Sequence, residues 1–348
     1  MTAPIDRRSV VAALAATALL PALPARAEPP SSLVDAARKE ATVTWYSGLI
    51  VNQVVRPVVE GFERKYKGIK VQAARIPSPE AVLKILNEAR AGKPQASVFD
   101  GTAVVHHLVA ANVVEPYAPQ AAANYPPAAR DPANHWTALN TYIMTPAINT
   151  ELVPEAEAPK TLQDLLDPKW QGRIAWTNDL TTAGPPGFIG NVLLSMGEAP
   201  GMEYLKRLAT QRIVNVPASQ RVVLDQVIGG QYPLALMTFD NHSVISAKDG
   251  APCRFLPISP AVQVPNPIGL IRGAPSPNAG KLLIEYALGE EGQTVFRNAD
   301  YLPANPAILP KDPTLLPEAG HFTTTIIPPE LAAQKLDSWI AIYNQLFK

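Results

Sequence analysis

The sequence predicts an α/β protein with length enough for two domains, and three observations lead there. A strand, tight turn, helix and second strand follow one another from Thr42 to Val71. A strand, turn and helix recur from Gln95 to Asn112. The chain has 348 residues, 47% hydrophobic and 17% charged, which is enough for two domains of ordinary size with a large core.

In the opening unit Val43 and Trp45 alternate with Thr42 and Thr44 as in a short strand. The chain turns at Ser47-Gly48, and Val51, Val54, Val55, Val58, Val59 and Phe62 then recur at helical spacing. Pro57 falls inside that pattern and must sit in the helix's first turn or kink it. A short helix over Leu33–Glu40 leads in, and Ile69-Lys-Val71 is the returning strand. Pro77-Ser-Pro79 precedes a helix over Glu80–Arg90, with Val82, Ile85, Leu86 and Ala89 on one face. Gln95–Asp100 is a strand, and Gly101-Thr102 turns into a helix along Val104, Val105, Leu108 and Val109. Thr102 is either its N-cap or a ligand contact.

Pro and Ala crowd Pro116–Asn134, which reads as irregular, before a strand over Trp136–Thr150. Thr161–Asp167 is a short helix, and Lys169–Trp176 is a strand with Thr177, Asn178 and Asp179 at its carboxyl end. Thr182–Phe188 is a Gly/Pro loop before helices over Phe188–Met196 and Gly201–Ala209. Ser219 caps a helix along Val222, Val223, Gln226 and Val227, which places Arg221 at a positive helix end suited to an anion, or in a surface ion pair. Gly229–Phe239 is a strand that delivers Asp240, Asn241, His242 and Ser243. The five prolines of Pro252–Pro267 argue against regular structure throughout, and Ile268–Arg272 is a strand. Helices follow over Asn278–Leu288, Glu291–Asn298 and Pro329–Phe347.

Charge and composition exclude several function classes. Thirty basic residues against thirty acidic ones leave no field to recruit nucleic acid. Cys253 is the single cysteine, so no internal disulfide or thiolate metal cluster forms; it reads as a small buried apolar residue. Paired arginines at Arg7 and Arg8 precede an Ala/Leu-rich run to Leu20, and Ala25-Arg-Ala27 supplies a cleavage point. Residues 1–27 therefore read as an export signal of the twin-arginine or the general secretory kind. The apolar run is shorter than the ~20 residues a bilayer span needs. Removing residues 1–27 leaves 27 bases and 29 acids. The chain has no His-Glu-x-x-His, no Gly-x-Ser-x-Gly and no phosphate loop ending in Gly-Lys-Ser/Thr. His106-His107 are adjacent, so on a helix they point ~100° apart and chelate poorly.

The opening pattern, a strand with Tyr46-Ser47, an amphipathic helix, then Phe62-Glu63, Tyr66 and Gly68-Ile-Lys-Val71, resembles the periplasmic solute-binding proteins of ATP-driven importers. Within them it is similar to the group of ferric-iron binders and their organic-ligand relatives. Ser97-Val-Phe-Asp100, Trp170–Trp176, Gly229–Leu236, Glu290–Phe296 and Tyr301-Leu-Pro-Ala-Asn305 match the family by type and in order. The resemblance implies the type II two-lobed fold, each lobe a mixed sheet flanked by helices, with a hinge of two crossing strands near residues 137–145 and 262–270. It implies lobe 1 over residues 28–138 and 268–312, lobe 2 over 139–267 and 313–348, a periplasmic location after cleavage near Ala27, and a membrane permease as partner. It implies no cofactor, no enzymatic activity, no nucleic acid and a monomer. Ferric binders of this family use tyrosinates from adjacent tyrosines where Asp240 and Asn241 stand here, and Ile148 replaces another tyrosine, leaving Tyr46 as the carry-over.

Strand ends and the turns after them thus give the expected ligand-binding residues: Tyr46, Ser47, Gly48, Asp100, Gly101, Thr102, Thr177, Asn178, Arg221, Asp240 and Asn241. Arg221 grips an oxyanion in two-pronged fashion and Asp240 meets an amine. Tyr46 and Trp176 pack on the solute or belong to the core. The expected ligand is a small anionic or zwitterionic organic solute: a phosphonate, a phosphorylated polyol or a carboxylate. Ferric ion is the alternative, one phenol with Asp100 or Asp240 being a poor oxygen set for it. An exported enzyme and a sensor that presents its ligand to a receptor are further alternatives.

Overall fold

The computed structural model describes residues 28–348; the expected export signal lies outside them. Twelve strands form one sheet: β1 Thr42–Ser47, β2 Lys70–Arg75, β3 Val98–Asp100, β4 Val114–Glu115, β5 Thr137–Asn149, β6 Ile174–Thr177, β7 Val214–Val216, β8 Leu234–Phe239, β9 Cys253–Phe255, β10 Ala261–Ile271, β11 Leu302–Pro303 and β12 Thr324–Ile326. The principal order is β2-β1-β3-β10-β5-β8-β6-β7. On one side β1 lies parallel between β2 and β3, and β10 runs antiparallel to β3. On the other β6 lies parallel between β7 and β8, and β5 runs antiparallel to β8. Each half is thus three parallel strands plus one antiparallel strand, and β5 and β10 pair with each other at the centre.

Two hydrophobic cores flank that centre. One gathers Trp45, Phe62, Phe99, Leu108 and Leu139 with Ile268, Leu282 and Phe296. The other gathers Met144, Trp170, Trp176, Ile189, Leu236 and Val264 with Trp339 and Tyr343. β5 and β10 enter both, through Leu139 then Met144 and through Val264 then Ile268. This is the two-lobed α/β architecture with two crossing strands.

The proline-rich return is more regular than its composition suggests. Pro265 and Pro267 both lie inside β10. They are tolerated because β10 pairs with β12 at residues 261–263 and with β3 at 268–270, so that between these stretches only β5 is a ladder partner. A proline nitrogen that faces an unpaired edge removes no ladder bond, and the register shift at Asn266/Pro267 absorbs the rest.

The helix after β1 begins as a single π turn, Val51–Val55, and becomes α-helical over Arg56–Lys65. Pro57 sits in the first α turn, where its missing N–H costs little. Gly61 lies within that helix because Tyr286 crosses it: an added Cβ would stand 2.0 Å from the phenol oxygen. Strands β4, β7 and β9, two or three residues each, escape prediction because such short runs carry no period. Thr102 caps nothing, since the next helix starts only at Val105. The Gly/Pro loop ends early: a helix spans Pro185–Met196 with two prolines in its first turn. Among the described residues no helix is long and apolar enough to cross a membrane.

Candidate functional site

A cavity of about 500 Å³ lies between the two cores. One wall comes from the turns after β1, β2 and β3, contributing Gly48 to Ile50, Arg75 and Pro77, and Asp100 to Ala103. The facing wall comes from the turns after β6, β7 and β8, contributing Asp179, Thr181 and Ala183, then Ser219 to Arg221, then Phe239 and His242. Tyr142 of β5, Asn266 of β10 and Tyr301 close the floor. The parallel strands of both halves point their carboxyl ends at one space, the position where α/β sheets hold ligands.

On the first wall Asp100 is fully buried. Gly48 N–H donates to its Oδ1 at 3.1 Å, and Oδ2 has no hydrogen bond. Burial pushes its carboxyl up to about 6, against the pull of Ser47 and the Gly48 amide. Gly101 turns the chain at φ 144, a conformation that favours glycine, and its N–H reaches Pro267 O at 3.1 Å. Arg75 ends β2 with an exposed side chain, and among the described residues its guanidinium has no carboxylate or hydrogen-bond partner.

On the second wall Ser219 caps the helix Gln220–Ile228 as its sequence promised, accepting from Val222 N–H at 3.5 Å. Gln220 donates to Ala183 O at 2.9 Å and to Asp179 at 3.3 Å, which ties two of the turns together. Arg221 lines the cavity, yet its guanidinium pairs with Asp225 at 2.7 Å and donates to Ser246 at 3.0 Å. Both sequence readings of Arg221 therefore hold in part: it is a helix-surface ion pair at the rim of a ligand-sized space. Burial and the nearby Arg221 charge hold His242 down to about 4, so its imidazole is neutral at pH 7, with Nδ1 unbonded.

The floor is aromatic. Tyr142 stacks obliquely on Phe239, centroids 4.7 Å apart, and meets Tyr301 at 6.1 Å; Phe239 meets His242 edge-on at 5.0 Å. Asn266 Nδ2 donates to Asn140 Oδ1 at 2.9 Å and so pins β10 to β5 beneath the cavity.

Of the residues expected from sequence, Gly48, Asp100, Gly101, Thr102 and Arg221 stand on the cavity wall. Tyr46, Ser47, Thr177, Asn178, Asp240 and Asn241 do not. Tyr46 points to the helix Ser78–Arg90, where its hydroxyl donates to Glu88 at 2.8 Å and Lys84 lies 5.3 Å over its ring. Ser47 is buried and its Oγ accepts from Leu49 N–H at 3.2 Å, fixing the turn instead of a ligand. Thr177 is likewise buried, donating to Ala218 O at 2.5 Å and accepting from Asp179 N–H at 3.0 Å. Asn178 is exposed and joins the β7 side through Val216 O at 3.0 Å.

Asp240 and Asn241 fail for one reason: a helix, Asp240–Lys248, starts with no intervening turn after β8. Rotation of ~100° per residue then turns Phe239 and His242 to the cavity and Asp240 and Asn241 into the lobe, where both are buried. Trp176 is core, fully buried with Nε1 donating to Asn215 at 2.7 Å. The phenols at the cavity are Tyr142 and Tyr301, not Tyr46; burial drives both up, Tyr301 to about 12. Arg75 was missed, although its place at the carboxyl end of a βαβ strand was a usable signal.

Burial of Asp240 has a measurable consequence. Its carboxyl is pushed from an ordinary 3.8 up to about 8, chiefly by desolvation. Between those limits the native state keeps the proton that the unfolded chain has released, so stability present below pH 4 is lost as pH rises to about 8. Asp240→Asn should flatten this: the melting temperature of the native sequence falls by several degrees from pH 5 to pH 8 relative to the variant's, read by calorimetry. A parallel pair of profiles would contradict the assignment.

The sequence matches the bacterial extracellular solute-binding protein family over residues 58–324. No protein of curated function matches the chain. Among solved structures, iron-bound HitA from Pseudomonas aeruginosa is similar with a TM-score of 0.72 at 18% identity, covering 88% of this chain and 99% of that one. The substrate-binding protein of an ABC transporter from Agrobacterium tumefaciens is similar with a TM-score of 0.73 at 18% identity, covering 88% and 94%. AfuA from Actinobacillus pleuropneumoniae, with fructose-6-phosphate bound, is similar with a TM-score of 0.70 at 20% identity, covering 88% and 98%.

Proposed function

Because the chain belongs to the bacterial extracellular solute-binding proteins, we propose that it captures a small anionic or zwitterionic organic solute and delivers it to the membrane permease of an ABC importer. One observation carries this reading: strand ends of both lobes converge on a single cavity with Arg75, which has no carboxylate or hydrogen-bond partner among the described residues, on one wall and Arg221 on the other. A phosphonate, phosphate or carboxylate is matched by such planar forks. Tyr142 and Phe239 offer a ring surface for the body of the solute, and Asp100 and Asp179 offer acceptors for an amine or hydroxyl. Fructose-6-phosphate in AfuA is a solute of this kind on a similar fold.

In this reading the protein acts as a monomer without a cofactor, residues 1–27 direct export to the periplasm, and cleavage near Ala27 releases the binding form. The lobes comprise residues 28–138 with 268–312 and residues 139–267 with 313–348. Closing them by hinge motion about β5 and β10 buries the solute.

A thermal-shift screen of the chain from residue 28 tests the proposal, with phosphonates, sugar phosphates, carboxylates, amino acids and ferric salts as probes. A ligand that binds only the native state raises the melting temperature, by ~2.7 kcal/mol of stabilisation at a hundredfold excess over Kd. A shift by organic anions is expected. A shift by ferric salt alone, with a visible charge-transfer band, would replace the organic solute with the metal. Once a solute is found, Arg221→Ala is expected to cost only about three- to tenfold in affinity by calorimetry, since Asp225 already shares its guanidinium.

A further inference from the structure

We infer that Lys248 is an affinity-determining residue that never touches the solute, acting as an ionic latch between the lobes. The inference rests on the solute-binding reading, and it starts from the helix Asp240–Lys248. His242 of that helix lines the solute cavity. Ile245, one turn on, lines a second gap of about 370 Å³, whose other wall is formed by Gln53, Pro57, Val295 and Ala299 of the first lobe. Lys248, a further turn on, reaches the first lobe itself: its Nζ lies 2.6 Å from Asp300 Oδ1 and 3.9 Å from Asp312. Residues three apart share a helix face, so one stripe of this second-lobe helix runs from the solute to the ion pair.

Three features make the pair more than a surface contact. Among the ion pairs of the described residues, only those of Lys248 run from the second lobe to Asp300 and Asp312. The Asp300 side chain is only 12% exposed, so the charge it presents is poorly screened. Asp300 also holds φ 58, a left-handed conformation that Asp tolerates better than most residues, at the end of the helix Glu290–Asn298. The open gap beside Ile245 leaves little packing there to hold the lobes together. The Lys248 contact therefore contributes to the balance between closed and open arrangements. Solute affinity scales with the closed fraction.

The test needs no solute. Spin labels on cysteines introduced at the exposed Lys67 and Lys206, one in each lobe, report the interlobe distance by pulsed electron resonance; native Cys253 is buried at 3% exposure. Lys248→Met should raise the open-to-closed ratio about two- to fivefold. The unmodified latch in 1 M salt should do the same. Lys248→Arg should restore the closed distance, and Lys248→Met combined with Asp300→Asn should open the molecule no further than either change alone. An interlobe distance that is unmoved by Lys248→Met, or additive effects of the two substitutions, overturns the inference. Neither outcome bears on whether the cavity binds a solute, and a failed solute screen would leave the latch measurement intact.

Discussion

Arg75→Ala is expected to weaken solute binding about 10- to 100-fold while leaving the melting temperature of the empty protein unchanged within about 1 °C. Both halves follow from its surroundings. The guanidinium is exposed and, among the described residues, has no hydrogen-bond or carboxylate partner, so its loss breaks no such contact of the fold. For the same reason none of its binding capacity is spent internally, unlike that of Arg221, which is shared with Asp225 and Ser246. Arg75→Lys keeps a point charge but not the planar fork, and should recover part of the loss. Titration calorimetry with a solute from the thermal-shift screen decides it. An affinity within twofold of the unmodified protein would remove Arg75 from the site.

Gly187→Ala is expected to destabilise the second lobe by about 3 kcal/mol, a fall of about 6–12 °C in melting temperature. Gly187 lies in the first turn of the helix Pro185–Met196, and a Cβ there would stand 1.8 Å from the carbonyl oxygen of Thr182 and 2.7 Å from its carbon. The obstacle is backbone, so no side-chain rotation relieves it. The loop that must move carries Thr181 and Ala183 on the cavity wall, so solute affinity should fall together with stability. Gly68→Ala provides the comparison. It meets nothing within 4 Å but holds φ 93, so its cost should be the ~1–2 kcal/mol of backbone conformation alone. Denaturant unfolding followed by tryptophan fluorescence separates the two, and equal costs would refute the steric argument.

The fold was legible wherever an apolar period ran for five residues or more. Thr42–Ser47, Trp136–Thr150 and the helix after Pro77 are cases, since periodicity reports which face is buried. The site was legible only to the level of which turns build it. The turns after β1, β3, β6 and β8 and the helix start at Ser219 are legible in the sequence, yet within each the side chain that faces the cavity depends on a phase of one residue. Ser47 and Thr177, the last residues of their strands, are buried and hold the turns with their hydroxyls, whereas Gly48 and Asp179 beyond them reach the ligand space. At β8 the sequence carries no mark that the helix begins directly at Asp240, and that single fact exchanges Asp240 and Asn241 for Phe239 and His242. Tyr142 and Tyr301 lie 159 positions apart and meet only because β11 pairs with β5. No local pattern encodes that meeting.

The sharing of β5 and β10 between both cores constrains how the molecule can be made. β3, the edge of the first three parallel strands, waits for residues 268–270 to be covered, and the first core is incomplete until Leu282 and Phe296 exist. A ribosome that has delivered the first 250 residues has therefore completed neither half, and both native cores close only after the last quarter of the chain has emerged. Contacts this distant in sequence make for slow closure, and the shared strands couple the completion of one half to that of the other.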